Sequence, residues 1–90
     1  MRGLAIGQKN AGDLVPDLVG RMDFALLESA HRLGFMGEFD PYVEQGKPVF
    51  AVEYLDEGAD AMTFCPVADA HGFQGIMARI DLDQTPQNCP

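Results

Sequence analysis

Four apolar segments of the sequence are each followed, or closed, by side chains that can ionise or form hydrogen bonds. The segments cover residues 3–7, 23–28, 48–54 and 73–82. A carboxylate at the end of a stiff strand can act as a general acid or base, because burial and neighbouring charges tune its pKa. The candidate residues at these four ends are Lys9, Asn10, Glu28, Glu53 and Tyr54, followed by Asp81 and Asp83.

A purely structural interpretation stays open for each of these residues, because strands normally end in polar side chains. Lys9 also fits a solvated loop, and Asn10 opens an Asn-Ala-Gly sequence with turn chemistry. Asp81 and Asp83 are interpreted first as surface or ion-pairing residues. His31 and His71 are interpreted as structural, and His71 precedes a glycine where a cation suits the end of a helix.

Helix signals separate the four apolar segments. Strands that alternate with helices predict βαβ units and a parallel sheet, and near-continuous apolar runs are typical of strands covered on both faces. Pro66 is expected to break or delay the third helix. We see one domain over residues 1–90, with residues 84–90 as a loose tail. The predicted helix starts are Asp13, Asp40–Pro41 and Asp60, and two predicted ends are Gly46 and Gly72.

In a parallel sheet the carboxyl ends of all strands lie on one side, and in α/β proteins that side hosts the site. The polar strand ends are therefore expected to share one rim, with Glu28 where the core stops and the site begins.

The charge argues against two classes of partner. The chain has 90 residues and a formal net charge of −8, from 14 acidic and 6 basic residues. Its basic residues are scattered singly, which disfavours nucleic acid and an anionic membrane surface. No apolar run approaches the ~20 residues needed to span a bilayer, and no signal peptide is visible. A neutral or cationic ligand is compatible with the acidity.

The two cysteines, Cys65 and Cys89, allow one disulfide, and two separate thiols remain an equal alternative. Neither cysteine has the spacing of a zinc site, so no metal and no cofactor is predicted.

In order along the chain, GLAIGQKNAGDLVPDLVGRMDFALLESAH, GKPVFAVEY and FCPVADAHGFQGIMARIDLD resemble the C-terminal half of a known family. It is the endo-α-1,4-polygalactosaminidase family, glycoside hydrolase family 114. The resemblance implies a TIM-like barrel, of which this chain supplies four strand–helix units. The expected fold class is α/β, with four parallel strands and crossover helices forming half of a (β/α)8 barrel.

The resemblance implies that Glu28 is the catalytic glutamate and that Lys9, Asn10, Glu53 and Tyr54 line the sugar cleft. The match departs from the family at the glutamate, which usually lies in an Asn-Glu-Gln-Cys context but here lies in Leu-Glu-Ser-Ala. The family's second catalytic carboxylate, an aspartate, would come from a strand upstream of Met1.

The resemblance thus implies a fragment of a glycoside hydrolase for an amino-sugar polysaccharide, which is expected to be inactive alone because the partner aspartate is missing. Half a barrel leaves two unpaired strand edges, so the expected partner besides the polysaccharide is the remainder of the barrel or a second copy. The alternatives are a non-catalytic carbohydrate-binding half-barrel and a small self-associating α/β protein. Localisation is not indicated, although family members are commonly secreted.

Overall fold

The structure, a computed structural model, describes residues 5–80 and 85–90. Three short 3-10 segments, at Gly12–Leu14, Met36–Phe39 and Leu55–Glu57, lie beside the regular elements. The strands are β1 (Gly7–Lys9), β2 (Phe24–Glu28), β3 (Val49–Tyr54), β4 (Gln74–Ala78) and β5 (Gln87–Asn88). The helices are α1 (Val15–Leu18), α2 (Ala30–Leu33), α3 (Asp40–Glu44) and α4 (Ala61–His71).

The strands form one sheet in the order β1-β2-β3-β4-β5. Neighbouring pairs among β1 to β4 are parallel, and β5 joins the edge of β4 in the antiparallel direction. The prediction of four parallel strands with crossover helices is confirmed. Residues 3–4 of the first predicted strand and residues 81–82 of the fourth lie outside the described residues, as do Asp81 and Asp83.

One face of the sheet is covered by helices. Alternate residues of β2 and β3 are buried on this face, as strand geometry requires. They pack with residues from the helices and the segments beside them into the core cluster. That cluster comprises Val15, Val19, Ala25, Leu27, Ala30, Met36, Phe39, Tyr42, Val49, Ala51, Phe64, Ala68, Phe73 and Met77.

The other face, which we call the open face, carries the remaining strand residues. Phe24 and Phe50 meet edge to face there at 6.0 Å between ring centroids. Parallel strands are normally covered on both faces, and in a closed barrel the face away from the helices is the packed interior. The open face is therefore what a partial barrel leaves uncovered. Its larger apolar residues, none of which belongs to the core cluster of the described residues, are Phe24, Leu26, Phe50, Val52 and Ile76.

Local sequence signals account well for α4. Asp60 caps its start by accepting a hydrogen bond from the Met62 amide at 3.0 Å, and Gly72 ends it with a φ of 78°. Pro66 lies inside the helix, so the expected break does not occur. Among the described residues, no helix is long and apolar enough to cross a membrane.

The prediction of a loose tail is wrong for residues 85–90, which are tied to the sheet and to α4. Within residues 85–90, Gln87–Asn88 pair with β4, and Cys89 forms a disulfide with Cys65 on α4. The Cys89 amide also donates to the Gly75 carbonyl at 2.9 Å. The two prolines and the lack of apolar periodicity predict a loop. The disulfide that holds the tail joins Cys89 to a residue 24 positions earlier, so neighbouring residues do not reveal it.

Replacing both cysteines by serine is expected to lower the free energy of unfolding by about 3 kcal/mol, because the bridge restricts the unfolded chain over its 24-residue separation. Urea denaturation of the wild type and of the Cys65→Ser/Cys89→Ser variant measures the difference. Equal midpoints and equal slopes would show that the disulfide contributes nothing to stability.

Candidate active site

The centre of the candidate site is the carboxylate of Glu28, the last residue of β2. Its Oε2 accepts a hydrogen bond from the Tyr54 hydroxyl at 2.5 Å, and its Oε1 lies 3.2 Å from Lys9 Nζ. The Glu28 side chain is 32% exposed and that of Lys9 is 64% exposed. Three strand ends thus meet at one carboxylate that is open to solvent.

The register of the sheet brings these three residues together. Lys9 is in register with Leu26, which lies two residues before Glu28 on β2. Glu28 is in register with Val52, which lies two residues before Tyr54 on β3. Tyr54 lies two residues beyond Val52 and therefore on the same face as Glu28. This stagger is the shear that lets strands tilt in a barrel, and it lines up Lys9, Glu28 and Tyr54 along the carboxyl edge of the open face.

Hydrogen bonding reinforces the ionised state of Glu28 and the neutral state of Tyr54. The Tyr54 hydroxyl, helped by Lys9, holds the pKa of Glu28 below its usual value, against a smaller opposing effect of burial. The same hydrogen bond, with burial and the negative charge of Glu28, raises the pKa of Tyr54 to about 12. At neutral pH the pair is consequently an ionised carboxylate and a neutral phenol that donates to it.

Replacing Tyr54 by phenylalanine is expected to raise the pKa of Glu28, because the largest influence that lowers it is removed. The check is a 13C-NMR titration of the Glu28 carboxyl group in the wild type and in Tyr54→Phe. A depressed folded-state pKa contributes stability above the unfolded pKa, and this contribution disappears as the pH falls through the folded value. The stability difference between the two proteins should therefore shrink on acidification, and an unchanged titration would rule out the role given to the phenol.

Asn10 holds the backbone of Glu28. Its side-chain Oδ1 accepts a hydrogen bond from the Glu28 backbone amide at 2.8 Å, and the backbone amide of Asn10 donates to the Leu26 carbonyl at 3.0 Å. The structure thus brings four of the five predicted residues to one place: Lys9, Asn10, Glu28 and Tyr54.

The structure does not bring Glu53 to this cluster. Glu53 is 3% exposed and lies on the helix-covered face, where it accepts hydrogen bonds from the amides of His31 at 3.0 Å and Arg32 at 3.3 Å. It satisfies the first turn of α2, whose amides have no partner within the helix. The alternation of side chains along β3 already places adjacent residues 53 and 54 on opposite faces, so the sequence carried the signal for the separation of Glu53 from this cluster.

Sequence reasoning missed the strained residues beside Glu28. In residues 5–80 and 85–90, the non-glycine residues with positive φ are Asn10, Ala11 and Ser29, at 50°, 59° and 60°. All three follow the ends of β1 and β2, and such backbone strain clusters at functional sites. Ser29 also donates its hydroxyl to Glu57 at 2.9 Å, and Arg32 lies 3.4 Å from the same carboxylate. Asn10 is a residue type that favours a left-handed turn, whereas nothing in the residue types of Ala11 and Ser29 predicts this backbone conformation.

The two histidines have structural surroundings. His71 Nδ1 lies 2.7 Å from Asp40 Oδ1 and its ring stacks on Phe73, while the His31 ring packs against Phe64. Within the described ranges, no group of three or more His, Cys, Asp or Glu side chains is arranged to hold a metal ion.

Comparison with known proteins identifies the family. The family model described as glycoside-hydrolase family GH114 matches residues 1–90. The chain belongs to glycoside-hydrolase family GH114. None of the curated proteins compared with it gives a significant match.

A solved structure has the same fold. The crystal structure of Aspergillus fumigatus Ega3 in complex with galactosamine superposes with a TM-score of 0.73 at 24% identity. The match covers 96% of this chain and 38% of Ega3. The chain therefore spans about two fifths of the length of Ega3, and its parallel sheet with an open face has the fold of part of a TIM barrel.

Proposed function

We propose that the enzyme to which this chain belongs cleaves an amino-sugar polysaccharide of the polygalactosamine type, with Glu28 as a catalytic carboxylate. The observation that carries the proposal is the ionised Glu28 at the carboxyl edge of the open face, held by Tyr54 and Lys9 in a GH114 chain. In TIM barrels this edge is where the active site lies. The galactosamine in the Ega3 complex supports the class of sugar.

The lowered pKa of Glu28 favours the role of nucleophile or base over that of proton donor. Glycoside hydrolysis generally uses two carboxyl groups, one that protonates the leaving oxygen and one that acts as nucleophile or base. A carboxylate with a lowered pKa is suited to the second role. Tyr54 keeps one carboxylate oxygen oriented, and the other remains beside Lys9, which can also donate to sugar hydroxyls.

The proton donor in this proposal lies outside the chain. Glu53, the acidic residue of β3, faces the opposite side of the sheet and is committed to α2. An aspartate from the remaining strands of the barrel supplies the acid, and the chain alone does not hydrolyse the polymer. A polymer of cationic amino sugars also suits a chain with a net charge of −8.

The test uses the full-length enzyme and three polymers. Reducing ends are counted after incubation with α-1,4-linked galactosamine, with its fully N-acetylated form and with a glucosamine polymer. We expect cleavage of the galactosamine polymer, and none by the isolated 90-residue chain. Cleavage of the N-acetylated polymer alone would contradict the proposal that the substrate is cationic. Hydrolysis by the isolated chain would contradict the proposal that a second carboxyl group comes from outside it.

Self-association, with or without non-catalytic sugar binding, is a second candidate that the open face specifically favours. Five large apolar side chains on this face lie outside the core cluster, and uncovered apolar strands associate. Sedimentation of the isolated chain separates the two proposals when it is combined with the activity of the full-length enzyme. A defined dimer that binds the oligosaccharide, together with a full-length enzyme that does not cleave, would favour this second function.

A further inference from the structure

A buried polar chain of hydrogen bonds lies beneath the end of β1. The Tyr42 hydroxyl donates to Gln8 Oε1 at 2.7 Å, and Gln8 Nε2 donates to the carbonyls of Asn10 and Ala11, each at 2.8 Å. Gln8 is 4% exposed and Tyr42 is fully buried. This series of hydrogen bonds begins on α3, runs along the helix-covered face to β1 and ends at the turn that holds Glu28.

This turn needs such support. Asn10 and Ala11 both have left-handed backbones. This conformation is common for Asn but unfavourable for Ala, so at Ala11 it persists only where surrounding contacts impose it. Gln8 Nε2 donates hydrogen bonds to the carbonyls of both residues from the helix-covered face. The conformation so imposed directs Asn10 Oδ1 to the Glu28 amide at 2.8 Å.

The placement of Gln8 is unusual for a core position. The strand residues buried around it are apolar, including Ala25 and Leu27 of the neighbouring strand. The buried polar side chains in the described ranges are Gln8, Ser29 and Glu53, and Ser29 adjoins Glu28 while Glu53 holds the helix that follows it. Buried polar groups destabilise a core unless they are satisfied, so this concentration at one edge needs a reason.

We propose that Gln8 and Tyr42 are positioning residues for Glu28, acting through the Asn10–Ala11 turn. The inference rests on the proposed function of Glu28. Neither residue reaches the open face, so neither touches substrate. Tyr42 orients the Gln8 amide, Gln8 holds the turn, and Asn10 holds the backbone from which the carboxylate projects.

The test replaces Gln8 by methionine, which keeps the length of the side chain and removes its hydrogen bonds. In the full-length enzyme we expect kcat to fall on the order of tenfold to a hundredfold while KM stays within about twofold, since small misplacements of a reacting group have effects of this size. Tyr42→Phe should give a smaller fall in kcat, because the Gln8 amide keeps its bonds to the turn. Val49→Ala makes a cavity in the same core but on β3, two strands away from Gln8, and is the control for general destabilisation.

A second readout is independent of catalysis. With 15N-glutamate labelling of the full-length enzyme, the Glu28 amide resonance should shift in Gln8→Met, because the bond from Glu28 to Asn10 weakens, and should stay in place in Val49→Ala. If the wild type cleaves no amino-sugar polymer, the proposed function fails and this resonance still decides the positioning. A Gln8→Met enzyme with the kcat and the Glu28 resonance of Val49→Ala would overturn the inference.

Discussion

Replacing Glu28 by glutamine in the full-length enzyme is expected to lower kcat by a factor on the order of 10³, the range seen when a positioned acid–base group is lost. The amide keeps the size of the carboxylate and can still accept the Tyr54 hydrogen bond, but it cannot attack or accept a proton. The free energy of unfolding should change by less than about 0.5 kcal/mol, because the side chain is partly exposed. Initial rates on the galactosamine polymer and a urea titration measure the two quantities.

Glu57 offers a matched control for this experiment. Its side chain has the same 32% exposure and also lies at the rim, but it contacts Arg32 and Ser29 instead of Glu28. Glu57→Gln should keep kcat within about threefold of the wild type, since glutamine can still accept the Ser29 hydrogen bond and only the partly exposed ion pair with Arg32 is lost. Equal losses in the two variants, or a normal rate in Glu28→Gln, would contradict the role assigned to Glu28.

Replacing Glu53 by alanine is expected to lower stability and to leave the kcat of the folded enzyme unchanged. It removes a buried acceptor from two amides of α2 and leaves a void, so the free energy of unfolding should fall by roughly 3 kcal/mol. Thermal and urea denaturation measure the loss. Any fall in kcat should follow the folded fraction, because the side chain lies on the face away from Glu28.

The exposed Glu44 of α3 is the control for Glu53. Glu44→Ala should be neutral within about 0.5 kcal/mol, as surface substitutions usually are. A Glu53→Ala variant as stable as Glu44→Ala, with a raised KM for the polymer, would return Glu53 to the sugar cleft where the family resemblance places it.

The parallel sheet and α4 were predictable from the sequence because their signals are local. Apolar runs marked the strands, and Asp60 and Gly72 marked both ends of the helix. By contrast, α2 follows directly from Glu28 through a left-handed Ser29, and its first turn is satisfied by Glu53, 22 residues from His31. No window of neighbouring residues contains that interaction.

The same distinction applies to the site. Convergence of Lys9, Glu28 and Tyr54 follows from parallel strands, and the sequence predicted it. Placing Glu53 among them neglected the alternation of faces along β3, which was available from the sequence. The support from Gln8 and Tyr42 depends on side chains 34 residues apart meeting inside the core, and only packing reveals it.

The most direct test of the central claim is a crystal structure of the full-length Glu28→Gln enzyme with a bound galactosamine oligosaccharide. The account predicts that a glycosidic linkage lies at the carboxyl edge of the open face, with its anomeric carbon within about 3.5 Å of the side chain at position 28, the distance of a group poised to react. Lys9 and Tyr54 should lie beside the same sugar. An oligosaccharide bound in the active cleft with its linkage far from position 28 would contradict the account.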